Sequence, residues 1–248
     1  MRPRSAILLA AALVFVISSY VPFGGTALYP LTLFTTWVHE MGHGLTALVL
    51  GGQFDHLKIF GNASGLAYCG ASPGWPSALV SLGGLLAPPI LGTLILGQVH
   101  GPRRARIFLA TTAAALVVSM LIYVRSPAGL VAMPIVAALL GWAAWRGFRE
   151  HPERRVILAQ VLGVMLATDT LTRMVSYVFT KTVEIDGKQT TSDIGNVAEN
   201  LGGHYYVWGT LVTVIAVGLL ALGMWRAWGR PAKVVATATR ARRSGQRR

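Results

Sequence analysis

Charge is scarce in this chain. Asp, Glu, Lys and Arg make up 12% of the 248 residues, about half the ~25% usual in a soluble domain. Acids are scarcer still, with 9 Asp and Glu against 22 Lys and Arg, for a net charge of +13. The single cysteine, Cys69, excludes an intrachain disulfide framework and a zinc or redox site built on a cysteine pair. There is no Gly-rich phosphate loop, no Gly-x-Ser-x-Gly nucleophile and no set of clustered histidine boxes for a di-iron centre. These absences exclude a soluble globular domain, a disordered chain, and phosphate-loop or serine-nucleophile chemistry.

What is present is apolar. Hydrophobic residues account for 53% of the chain and the mean hydropathy is +0.55. Seven apolar runs, at 5–21, 28–50, 76–99, 106–124, 128–145, 156–180 and 205–228, approach the ~20 residues that a membrane helix needs. The composition and runs predict an all-α polytopic membrane protein. A single membrane domain over 1–228 leaves no room for a separate soluble catalytic domain. The first run follows Arg2 and Arg4, lacks a clear small-x-small cleavage site, and reads as an uncleaved anchor.

The basic surplus sits at the ends of the apolar runs. It therefore reads as topology and contact with anionic headgroups rather than as nucleic-acid binding. If the N-terminus is cytoplasmic and all seven runs cross, the clusters 103–106 and 146–155 and the basic tail fall on the wrong side. The bias is restored if the run 76–99 enters and returns on one side. Gly83-Gly84 and Pro88-Pro89 could break that run. The expectation is six to seven transmembrane segments, one broken or re-entrant, with both termini cytoplasmic. The glycine-rich segment 51–75 predicts a small β-hairpin at the membrane surface, with strands at 54–60 and 66–69. The segment 229–248 reads as a basic disordered tail near anionic headgroups.

One motif carries chemistry. Within the second run the chain reads His39-Glu40-Met41-Gly42-His43, a His-Glu-x-x-His pattern. On a helix, residues i and i+4 share a face, so His39 and His43 can hold one metal ion and Glu40 can serve as general base. Thr32, Thr36, His39, His43 and Thr46 follow steps of four and three and form one polar stripe on an apolar helix. Polar groups at membrane depth are expensive and mark function. The plain structural alternative is a histidine pair satisfied by hydrogen bonds to a neighbouring helix.

Catalytic zinc usually takes three protein ligands and an open position. Asp169 is the carboxylate well inside an apolar run and is the first candidate for the third ligand. Arg173, four residues on, offers Asp169 an ion pair instead, and could also stabilise a developing oxyanion. Asp193, in the polar segment 181–204, is the second candidate, although Ser192 or Asp193 would also suit a helix cap. His56, His100, His151 and His204 lie in loops or at span ends and read as interfacial.

The stretch His39-Glu40-Met41-Gly42-His43-Gly44-Leu45-Thr46-Ala47, running on to Gly51-Gly52, resembles the site-2 proteases. The run Ser81-Leu82-Gly83-Gly84-Leu85-Leu86-Ala87-Pro88-Pro89 sits where that family places a Gly/Pro-rich core segment. The motif-bearing part covers 28–99, and Ser192-Asp193 before an aromatic-rich last span is similar to a compact, divergent bacterial branch. The resemblance implies an intramembrane zinc metalloprotease that cleaves transmembrane protein substrates in regulated intramembrane proteolysis, and the basic, alanine-rich composition and small size suit a bacterial inner membrane. It implies Zn2+ on His39 and His43, with Glu40 as base. The family's Asn/Leu-x-Asp-Gly-like element on a later core helix is absent, since Asp169 is followed by Thr170, and there is no PDZ-like insertion. Two other readings stand beside it. One is a non-proteolytic membrane protein that keeps a zinc site for structure or partner assembly. The other resembles the prenyl-protein endopeptidases, whose third ligand is a glutamate. Glu150, Glu153, Glu184 and Glu199 all lie outside the apolar runs, which disfavours that last reading.

Overall fold

The computed structural model describes residues 3–21, 28–173, 179–185 and 187–229. The basic tail at 230–248, expected to be disordered, lies outside the described residues. In chain order the elements are α1 (Pro3–Ser18), α2 (Tyr29–Val49), β1 (Gln53–Ile59), β2 (Gly65–Gly70), α3 (Trp75–Gln98), α4 (Pro102–Ile122) and α5 (Pro127–Trp142). After a π-helical turn at Ala143–Gly147 come α6 (Glu153–Thr172), β3 (Thr182–Ile185), β4 (Lys188–Thr191), α7 (Asp193–Leu201) and α8 (Tyr205–Gly229). Helices α2 to α5 each carry a proline in the first turn, where a missing N–H costs nothing.

Five of the described helices are long and apolar enough to cross a membrane: Trp75–Gln98, Pro102–Ile122, Pro127–Gly147, Glu153–Thr172 and Tyr205–Trp228. The expected count was six to seven. The apolar part of α1, Ala6–Ser18, is shorter than a span, and α2 is not among the five. Its stripe of threonine, histidine and glutamate lowers the hydropathy of an otherwise apolar helix.

The expected break within 76–99 does not occur, because α3 is one continuous helix despite Pro88 and Pro89. The physical reason is a hydrogen bond from outside the helix. Pro89 has no N–H for the carbonyl of Leu85, and the hydroxyl of Thr170 on α6 donates to that carbonyl instead, at 2.8 Å. Thr93 adds donation to the carbonyl of Pro89 within α3 and to that of Leu219 on α8.

Helix α3 is the centre of the assembly and packs on α2, α6, α7 and α8. Its approach to α2 is possible only through glycine. A Cβ on Gly42 would lie 2.6 Å from the carbonyl oxygen of Gly83. The outer faces of α4, α5 and α8 carry exposed Leu, Ile and Val, such as Leu121, Val131 and Val214, as a lipid-facing surface does.

The predicted hairpin is present, its strands within a residue or two of expectation. Strands β1 and β2 pair antiparallel, Phe54 with Cys69 and Ile59 with Gly65. The outer edge of β1 is occupied: Leu57 accepts from the N–H of Arg125 and donates to the carbonyl of Tyr123, and the N–H of Ile59 donates to the hydroxyl of Ser126. A second hairpin, β3–β4, was not anticipated. Its sequence signal was available in the alternation 182–185 followed by Asp186-Gly187, and Gly187 adopts φ +73° as such a turn requires.

Candidate metal centre

Helix geometry puts His39 and His43 on one face of α2, with both side chains buried. Nδ1 of His43 donates to the carbonyl of Val80 on α3 at 2.9 Å, which fixes the tautomer and turns the Nε2 lone pair inward. The Nε2 atoms of the two rings stand 3.2 Å apart. The third group facing them is Asp193, the first residue of α7. Its Oδ2 lies 3.2 Å from Nε2 of His39 and its Oδ1 lies 3.4 Å from Nε2 of His43.

Asp193 is free for this position because Ser192 caps α7, its hydroxyl accepting the N–H of Gly195 at 2.9 Å. Partial burial raises the cost of ionising Asp193, but His43 and His39 beside it outweigh that cost and hold its carboxyl well below the usual carboxylate range. Helix α7 is fastened to α3 by Asn196, whose Nδ2 donates to the hydroxyl of Ser81 at 2.7 Å. It is also held by Asn200, whose Oδ1 accepts the N–H of Gly74.

Asp169, the first candidate from the sequence, is elsewhere. It is buried and accepts from Nε of Arg173 at 2.9 Å, the i,i+4 pair foreseen as its alternative. Arg173 in turn donates to the hydroxyl of Thr36 at 2.9 Å. Thr36 donates to the carbonyl of Ala63 at the tip of the β1–β2 hairpin. The polar stripe of α2 therefore serves both the histidine group and this side network. Among the described residues, His39, His43 and Asp193 are the one group of potential metal ligands. His56, His100, His151 and His204 stay outside it; His56 stacks on Tyr68, and Nε2 of His100 donates to the carbonyl of Gly97.

The geometry of the group suits zinc. Tetrahedral zinc bonds of about 2.0–2.2 Å to nitrogen and oxygen separate neighbouring ligand atoms by roughly 3.3–3.6 Å. The three separations found here are 3.2, 3.2 and 3.4 Å. The donor set, two imidazoles and one carboxylate, is that of a catalytic rather than a structural site.

The group lies on a cavity of about 310 Å³. Glu40 lines it, with Gly65 packed so closely that a Cβ there would stand 2.5 Å from the carboxylate. One wall is β2 (Gly65–Gly70), whose second edge has no strand partner among the described residues. Val183 and Ile185 of β3, Thr190 and Thr191 of β4, and Arg173 also line the cavity. Sequence reasoning missed the β3–β4 lining residues and Asn196, because their side chains converge only through packing.

A family model described as Peptidase M50B-like matches residues 6–223 of the chain. No curated protein and no solved structure matches it.

Proposed function

The chain belongs to the Peptidase M50B-like family, the site-2 protease family, and from that premise we propose that it is an intramembrane zinc endopeptidase acting on transmembrane protein substrates. The observation that carries this reading is the convergence of His39, His43 and Asp193 beside Glu40 in one cavity. His39, His43 and Asp193 would hold the ion. When bound, zinc supplies Lewis-acid polarisation of the scissile carbonyl and lowers the pKa of a water.

The chain's own residues do the rest. Glu40 takes the proton from the attacking water and delivers it to the leaving amine. The carbonyl of Val80 keeps the ring of His43 oriented. The second edge of β2, without a strand partner among the described residues, offers backbone hydrogen bonds to a substrate segment that has unwound from its helix. Unwinding is required, because intrahelical hydrogen bonds would otherwise shield the scissile peptide. Depth supports cleavage within the bilayer. Gly84, whose Cβ would meet Nε2 of His43, is nine residues into α3, about 13 Å along its axis.

The test is cleavage of a single-span reporter by purified protein in vesicles, with zinc determined per chain. The reading expects about one zinc, cleavage by the wild type, and no cleavage by Glu40→Gln with its zinc retained. Full biological function from Glu40→Gln would instead support a non-proteolytic protein that keeps zinc for structure or assembly.

A further inference from the structure

Strands β3 and β4 form a hairpin that no other strand joins among the described residues. A two-stranded ribbon is marginal by itself and depends on what its faces touch. Its register pairs Val183 with Thr190 and Ile185 with Lys188 on one face. Thr182 with Thr191 and Glu184 with Gln189 fall on the other, and all four are exposed. On the first face Val183, Ile185 and Thr190 are half-buried and line the cavity of the metal group. Val183 and Ile185 belong to none of the apolar clusters found among the described residues. The apolar side of the hairpin is therefore turned to the cavity rather than to the protein core.

The base of the hairpin is tied to the start of α7. The N–H of Ser192 donates to the carbonyl of Lys181 at 2.9 Å, and its hydroxyl donates to the carbonyl of Thr180. Gly195 lies against the carbonyl of Lys181 with no room for a Cβ. Asp193 follows Ser192 directly, so these bonds fix the hairpin relative to the metal group. Side chains held at a fixed offset from the metal meet one fixed position of a substrate, counted from the bond that is cut.

We propose that the β3–β4 hairpin is the specificity element of the site, with Val183 and Ile185 receiving a large aliphatic side chain of the substrate near the scissile bond. This role rests on the peptidase reading above. The occupant is the substrate because the apolar face shares its cavity with His39, His43, Asp193 and Glu40. An unwound membrane segment is rich in such side chains and turns alternate ones to one side, where pockets can select them. Ala67, Gly70 and Ala71 line the same cavity and, being small, leave space for the incoming group.

The test uses the full chain in vesicles with single-span reporters. Mass spectrometry of the wild-type products locates the cut, and residues within a few positions of it are then exchanged one at a time between Leu and Ala. At one position the wild type should prefer Leu by at least about 10-fold in kcat/KM, the scale of a filled apolar pocket. Val183→Ala and Ile185→Ala should keep their zinc, lose most of that preference, and cleave the Ala reporter as the wild type does. Ile185→Val should lose part of it, and reads the same contact if an alanine variant does not fold. Val183→Phe fills the space and should turn the preference to Ala. Glu184→Ala, on the exposed face, should leave it unchanged. A wild type indifferent to Leu and Ala at every position overturns the assignment. So does an equal loss on all reporters, which would give Val183 and Ile185 to hairpin stability or lipid contact. Absence of any wild-type cleavage refutes the peptidase reading and this role with it.

Discussion

The carboxylate of Asp193 meets the imidazole of His39 at 3.2 Å, closing a three-residue group whose first two members lie on α2 and whose third opens α7. The carboxylate of Asp169, in the last turn of α6, is turned instead to Arg173 at 2.9 Å.

This division predicts opposite outcomes for the two aspartates. Asp193→Ala removes one of three ligands and should leave purified protein without stoichiometric zinc. Asp169→Asn should keep it. Metal analysis of the two variants beside His43→Ala decides the matter, and zinc lost from Asp169→Asn but kept by Asp193→Ala would refute the assignment.

Asp169→Asn has a different cost. Removing one partner of a buried ion pair, here the carboxylate facing Arg173, costs up to about 3–5 kcal/mol. The variant should melt well below the wild type in detergent while binding zinc as long as it is folded. An unchanged melting temperature would mean that the Asp169–Arg173 pair adds little to stability.

Two glycines separate binding from catalysis. A Cβ on Gly84 would lie 2.1 Å from Nε2 of His43, and one on Gly65 would lie 2.5 Å from the carboxylate of Glu40. Gly84→Ala should weaken zinc binding by at least about 10-fold, the scale seen when a ligand's support is disturbed. Gly65→Ala should keep zinc and lose activity, by about 100-fold for a misplacement near 1 Å. Competition with a chelator and reporter cleavage read the two effects separately.

The proline pair in α3 makes a prediction about stability. Thr170→Val leaves the carbonyl of Leu85 without its donor and should cost about 1–3 kcal/mol. Adding Pro89→Ala restores a backbone N–H four residues on and should recover most of that loss. Thermal unfolding of both singles and the double measures the coupling, and simple additivity would count against the compensation.

Much of this protein is legible along the chain. Apart from the run 156–180, which continues past Thr172 at the end of α6, the apolar runs lie within a few residues of helices, because burying backbone polar groups in lipid forces them into helices wherever side chains are apolar. The strands of the β1–β2 hairpin follow from short apolar segments between glycines. His39, Glu40 and His43 come together because a helix repeats every 3.6 residues, which needs no tertiary information. Local sequence cannot choose between Asp169 and Asp193. Asp169 had depth in its favour, but its own helix supplied Arg173 four residues away. Asp193 reaches the histidines because Ser192 starts α7, Asn196 and Asn200 fasten α7 to α3, and glycines bring α2 close to α3. The unbroken course of α3 depends likewise on Thr170, a donor on another helix. Contacts within a turn or two are set by backbone geometry, whereas these long-range ones depend on how whole helices pack, and only the tertiary structure decides them.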